Sequence, residues 1–450
     1  MPSARYFTVP VLSFVLTIVA LTACADREDE VRSRIEKGVN QIMIVDTHEH
    51  LGPEKLRTER VMSLFTHLHY ALSDMWADGL GRRMADSVFN ASGASLADKW
   101  NTIAPYWNNT RNTAYNKVLT EAFSDLYGID DVTEDTYEEL SNRIQQANKP
   151  GWYHTVLKEK AGIELSITDT GLRGAGMNRD MFRAVLRLDE FLLMWDSFGD
   201  VEKKWGVSVQ TLADWEYALE VAMDSLVALG FVGVKSGIAY NRTLRFEDFP
   251  RERVEQMFDR LRAEPELVNS QSWQQKKPVQ DWMFDRIAKG CAKRDLAFQI
   301  HTGFFYDINR DVTQANPTNL TPLVMRNPGT RFVLMHCGYP YGRDLLAMAK
   351  NLPNVVTDMC WIYVISPSFA YEYLNEAIET LPADKVLGFG GDYGIPEGSY
   401  GHAKLCRRIV SRVLADKVLS GYWGEAEALA YARSILRDAP AKVFKLDLEN

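Results

Sequence analysis

The stretch with the most evident capacity for chemistry runs over residues 41–51, Gln-Ile-Met-Ile-Val-Asp46-Thr-His48-Glu-His50-Leu. Its apolar, β-favouring lead-in predicts a strand, and on a strand the i, i+2 spacing of His48 and His50 sends both imidazoles to the same side. Neutral imidazole is the commonest nitrogen ligand for zinc and its transition-metal neighbours, so the two form a candidate metal-binding pair. The same spacing recurs at His67 and His69, where the flanking Val61, Leu64, Phe65, Met75 and Trp76 recur at helical intervals. On a helix, residues two apart splay by about 200°, so His67 and His69 are read as structural.

Four more polar residues close apolar runs: Lys235, His301, His336 and Asp392. The elements that must position them are strand-like runs at 41–51, 162–168, 182–188, 231–236, 296–301, 331–336, 355–358 and 386–392, with helices predicted over 207–229 and 282–294. Alternating strands and helices joined by right-handed crossovers predict an α/β fold, a (β/α)8 TIM barrel. In such a barrel the strand ends converge on one face, so the residues closing strands one, four, five, six and eight can meet around one ion. Residues 53–160, after the first strand, show no strand pattern but carry Trp76, Trp100, Trp107 and Tyr115 in helical patterns. They read as a helical insertion over the catalytic face, its aromatic rings serving either as core or as a lid that stacks on substrate.

Composition narrows the function classes. Among 450 residues, 51 basic against 60 acidic side chains leave a net charge of −9, and no basic run exceeds a short pair, which argues against nucleic acid as a partner. A hydrophobic share of 46% with 25% charged residues describes a soluble globular, enzyme-like chain and not a disordered one. Residues 1–24 read as a lipoprotein signal peptide: Arg5, an apolar run over 7–23, and Leu21-Thr22-Ala23-Cys24, which is similar to a bacterial lipobox with Cys24 as the lipidated residue. Residues 25–40 read as a polar tether, followed by the barrel domain at 41–450. The expected location is the cell envelope, membrane-anchored through Cys24. Ala25, standing where an aspartate would signal inner-membrane retention, points to the periplasmic face of the outer membrane. Cys291, Cys337, Cys360 and Cys406 lack C-x-x-C spacing and read as buried free thiols. A homo-oligomer is compatible with all of this.

The ordered set resembles the amidohydrolase superfamily, in its amidohydrolase 2 branch. Its carriers are Asp46-Thr47-His48-Glu49-His50, the segment through Lys235 to Tyr240, His301-Thr-Gly303, His336-Cys-Gly-Tyr-Pro340, 354–358 and Gly390-Gly-Asp392. A second resemblance, to uronate isomerases of the same superfamily, is carried by Tyr106-Trp107, 123–128 and 399–408. The first implies His48, His50 and His301 as nitrogen ligands of a divalent metal, normally one zinc. It implies Asp392 as a carboxylate ligand or catalytic proton acceptor, and His336 as a group that polarises the substrate carbonyl or completes the metal shell. Lys235 is open between a carboxylated bridge for a second metal, an ion pair with an anionic substrate and a structural ion pair. Tyr240, Arg242 and His402 are candidates for substrate contact. The implied activity is hydrolysis of a C–N or C–O bond in a small polar substrate. Non-oxidative decarboxylation or uronate isomerisation at the same site is the alternative, and a non-catalytic binding lipoprotein ranks last.

Overall fold

The computed structural model describes residues 27–448 apart from 90–92, 194–197, 265 and 268–272; Cys24 and the lipobox-like segment lie outside the described residues. Eight strands, β1 (Ile44–Glu49), β2 (Ile163–Thr168), β3 (Phe182–Arg187), β4 (Gly233–Ser236), β5 (Ala297–Ile300), β6 (Arg331–Leu334), β7 (Val355–Asp358) and β8 (Val386–Leu387), pair in that order. Every pairing is parallel. Beyond the end of β8, the Thr47 amide donates to Phe389 O at 3.0 Å and the Asp392 amide to His48 O at 2.8 Å. These bonds tie the chain after β8 to β1 and bring Asp392 beside the two histidines.

The alternation of each strand sorts its side chains. Val45, Leu165, Ile167, Val185, Ala297, Val333, Val356 and Leu387 form one cluster closed by Val443 and Phe444 near the chain end, the packed interior expected of a barrel this size. Ile44, Ile163, Phe182, Val234, Phe298 and Phe332 belong to the larger cluster shared with the surrounding helices. Between β1 and β2 the described residues are helical or irregular, with helices such as Leu96–Asn109, Ala114–Tyr127 and Tyr137–Ala147. Trp100, Trp107, Tyr115 and Phe123 from this insertion share a core with Met335, Cys360, Trp361 and Tyr393, which follow the barrel strands. The insertion therefore sits on the C-terminal end of the barrel, over the residues that carry the chemistry.

One expectation fails. Residues 27–40 are not a tether but a helix, and its Val31, Ile35 and Val39 are buried in the barrel–helix core. The four-residue spacing of those side chains makes an apolar stripe that the charges around it obscure. Burial contributes roughly 1.5–3 kcal/mol for each such side chain, enough to hold a helix that is otherwise charged. Arg34 anchors its exposed face to Glu425 at 2.9 Å. The cysteines do meet expectation: Cys291, Cys337, Cys360 and Cys406 are buried and free. Among the described residues no helix is long and apolar enough to cross a membrane.

Candidate metal centre

His48, His50 and Asp392 converge. Asp392 Oδ1 lies 3.0 Å from His50 Nε2 and 3.6 Å from His48 Nε2, and the two imidazole rings stand 5.0 Å apart at 87°. Asp392 has a positive φ of 61°, so its carboxylate depends on a tightly held turn. The Asp-Thr-His-Glu-His stretch itself supplies the clamps. Asp46 Oδ1 accepts from the Gly391 amide at 3.0 Å, and Glu49 Oε2 accepts from the Tyr393 amide at 2.7 Å. From the insertion, Tyr70 Oη donates to Asp392 O at 2.5 Å. A side chain at Gly391 would collide with the Glu49 carboxylate, which is why this turn carries glycine.

The electrostatics suit a cation. Burial, reinforced by the Lys235 ammonium, holds His48 well below its ordinary imidazole value. Burial with His336 and Lys235 does the same to His301, and burial lowers His336 to about 4. Burial works to raise the Asp392 carboxyl, but the His50 hydrogen bond and the neighbouring imidazoles overcome it and keep the group well below the carboxylate range. Three neutral imidazoles around an ionised carboxylate are a nitrogen and oxygen donor set suited to a divalent metal.

His301 and His336 add a further sign. His301 Nε2 lies 2.8 Å from Phe304 O and His336 Nδ1 lies 3.1 Å from Cys360 O, so each spends its N–H on a backbone carbonyl. That assignment leaves His301 Nδ1 and His336 Nε2 facing each other at 3.0 Å with lone pairs toward the same space. A proton or a cation must share them. The donor geometry thus fits the metal that the fold implies, with His48, His50 and Asp392 as the tight triad. His301 stands one step away, against His336.

A cavity of about 300 Å³ opens on the triad, walled by His50, Lys235, Tyr240, His301 and Asp392 among others. Lys235 is buried and has no carboxylate partner among the described residues. Its Nζ lies 2.8 Å from Met335 Sδ and 3.4 Å from His48 Nε2, and burial with the nearby Arg187 lowers its pKa. That removes the structural ion pair from the three readings of Lys235.

Tyr240 reaches the cavity wall, whereas two other expected substrate contacts do not. Arg242 is fully buried in an ion pair with Asp281 at 2.7 Å, because its position in the Ile238–Tyr240 turn region points it back toward the helix Trp273–Arg294. His402 lies beneath the Asp392 turn, its Nδ1 3.0 Å from Gly391 O, and supports that turn without lining the cavity. Conversely, His69, expected to be structural, lines the cavity, and so do Arg187, Tyr70, Tyr306 and Trp361, which the sequence did not single out. Arg187 had a usable signal: it ends β3 and pairs in register with Lys235. The aromatic residues had none beyond lying in the insertion and in loops after strands.

Residues 189–446 match the family described as amidohydrolase, and the chain belongs to that family. Fold, family and donor set define its class as a barrel enzyme that works with a divalent cation. Protein fluG from Emericella nidulans is 26% identical over 233 residues, a match covering 50% of this chain and 27% of that longer protein. Glucuronate isomerase from Caulobacter crescentus superimposes with a TM-score of 0.77 at 18% identity, covering 94% of this chain and 95% of that one. Uronate isomerase from Thermotoga maritima does so with a TM-score of 0.73 at 16% identity, covering 92% and 97%. At such identities these likenesses speak for the fold.

Proposed function

We propose that the protein is a metal-dependent hydrolase that cleaves a C–N or C–O bond in a small anionic substrate. The observation that carries the reading is Lys235: a buried ammonium without a carboxylate of its own, on the same cavity wall as Asp392 and His50. His48, His50 and Asp392 would hold a divalent cation, one zinc per chain in this reading, which would supply Lewis acidity and lower the pKa of water from about 16 towards roughly 7. The Asp392 carboxylate accepts the proton of the attacking water and returns it to the departing nitrogen or oxygen. His336, its Nδ1–H spent on Cys360 O, presents the Nε2 lone pair and in this reading completes the metal shell, the second of its two expected roles. Lys235 and Tyr240 bind the anionic group, while Trp361 and the insertion's Tyr70 cover the reacting atoms against bulk water.

The test is a metal count on the soluble chain lacking residues 1–24, purified without chelator and with bicarbonate, followed by assay against amides, esters and lactones of small carboxylic acids. About one metal per chain with hydrolysis supports the reading. About two assigns Lys235 to a carboxylated bridge, for which its lowered pKa suits it. Uronate isomerisation is the second reading, favoured by the superposition on both isomerases across the insertion as well as the barrel. Interconversion of glucuronate without any hydrolysis would replace the first reading with the second. We also place the chain at the envelope through a lipid on Cys24. Cys24→Ala should release it from the membrane fraction, and continued membrane association would count against the anchor.

A further inference from the structure

A second cavity of about 320 Å³ adjoins the metal centre and shares His50 with it. Its wall combines the arginines Arg57, Arg60 and Arg173 with apolar side chains such as Leu56, Val61 and Ile395. The three arginines are not equivalent. Arg57 is buried and its charge is met by Glu397, whose Oε1 accepts from its Nη2 at 2.6 Å. Arg60 and Arg173 are exposed and have no carboxylate partner among the described residues. An isolated surface arginine says little. Two guanidiniums without a carboxylate partner among the described residues, on the wall of a cavity that borders the triad, describe a place for an anion.

We infer that this cavity is the subsite for a second, distal anionic group of the substrate, which makes the substrate an acid with a negative group at each end and a short aliphatic middle. The inference rests on the hydrolase reading above and deepens it. The scissile amide or ester lies at the triad and the anionic group on its leaving side meets Lys235, so hydrolysis frees an amine or alcohol from an acyl part that ends as a dicarboxylate. The aliphatic part passes His50 and lies against Leu56, Val61 and Ile395, and the far carboxylate meets Arg60 and Arg173. The exposure of Val61, at 82%, is accounted for in the same way, since a chain laid across it shields an otherwise costly apolar surface. Discrimination by two charge-assisted contacts amounts to at least about tenfold in affinity.

Hydrolysis of an amide or ester leaves a carboxylate at the metal, so a dicarboxylate mimics the product. The zinc-loaded chain is titrated calorimetrically with glutarate, adipate and pimelate, and with hexanoate as the one-headed control, while zinc per chain is measured on each preparation. The expected result is that at least one dicarboxylate binds at least about tenfold more tightly than hexanoate, and that Arg60→Ala with Arg173→Ala removes the preference but leaves zinc content and hexanoate binding unchanged. Both positions are exposed, and circular dichroism confirms that the variant is folded. Equal binding of all four acids to the unaltered chain, or a preference that survives the double substitution, overturns the subsite and leaves the metal centre standing. Phosphate competing for the distal site more strongly than any dicarboxylate would overturn the carboxylate assignment. Failure of every acid to bind, together with no zinc, overturns the hydrolase reading and the subsite with it.

Discussion

The chain contains two His-x-His pairs with identical spacing and opposite fates. His48 and His50 lie at the end of β1, and both reach Asp392. His67 and His69 follow a short 3-10 turn, Leu64–Thr66, and separate. His67 Nδ1 turns back to Ser63 O at 2.8 Å, with Nε2 3.3 Å from the buried Glu397. His69, at a φ of 39°, accepts from the Gly394 amide at 3.2 Å and edges the active cavity. Spacing becomes a ligand set only through the backbone that carries it. A strand end converts i, i+2 into convergence, and a turn converts it into divergence.

Removing the first pair should have the largest effect. His48→Ala with His50→Ala should abolish bound metal and activity, weakening metal affinity by well over about 100-fold, whereas His67→Ala should leave the metal count unchanged. Loss of metal from His67→Ala would reverse the assignment of the pairs. Next in size is the network around the second pair. Glu397 accepts from Arg57 at 2.6 Å, Tyr127 at 2.5 Å and Trp152 at 2.8 Å. Glu397→Ala strands a buried Arg57 and should cost about 3–5 kcal/mol in chemical denaturation, with metal affinity little changed in the folded fraction.

Gly391→Ala should fall between structure and site. A Cβ there meets the Glu49 carboxylate and must shift the Asp392 turn, costing about 1–3 kcal/mol and lowering metal occupancy. Normal occupancy would show that the turn yields without moving Asp392. A further effect is that of pH on the chelated protein. Burial lowers His69 to about 3 and His336 and His402 to about 4, all below the unfolded imidazole value of about 6.5. Stability contributed by these neutral rings is present above pH about 6.5 and is lost as pH falls towards those folded values, so the thermal midpoint should drop between pH 7 and 5.

Most of the barrel was legible because its strands are short apolar runs closed by polar residues, and all eight strands fall within the predicted runs. The triad was legible for the same reason. What escaped were residues whose role comes from tertiary approach. Glu49 carries no sign that it will clamp the Tyr393 amide, and Arg242 gives none that Asp281 will bury it. The helix at 27–40 escaped because its charged residues outnumber the three apolar positions that fix its place. Tyr70 and Trp361, stacked 4.7 Å apart above the site, come from the insertion and from the loop after β7, and local pattern does not link such distant segments.

The central claim is that the first pair and Asp392, not any cysteine, hold the metal. X-ray absorption on the zinc-loaded chain tests it directly. The account predicts a first shell of only nitrogen and oxygen at about 2.0–2.2 Å, with imidazole scattering from at least two histidines. A sulfur shell at about 2.3 Å would contradict it, because the buried Cys360 beside His336 and Asp392 would then be a ligand.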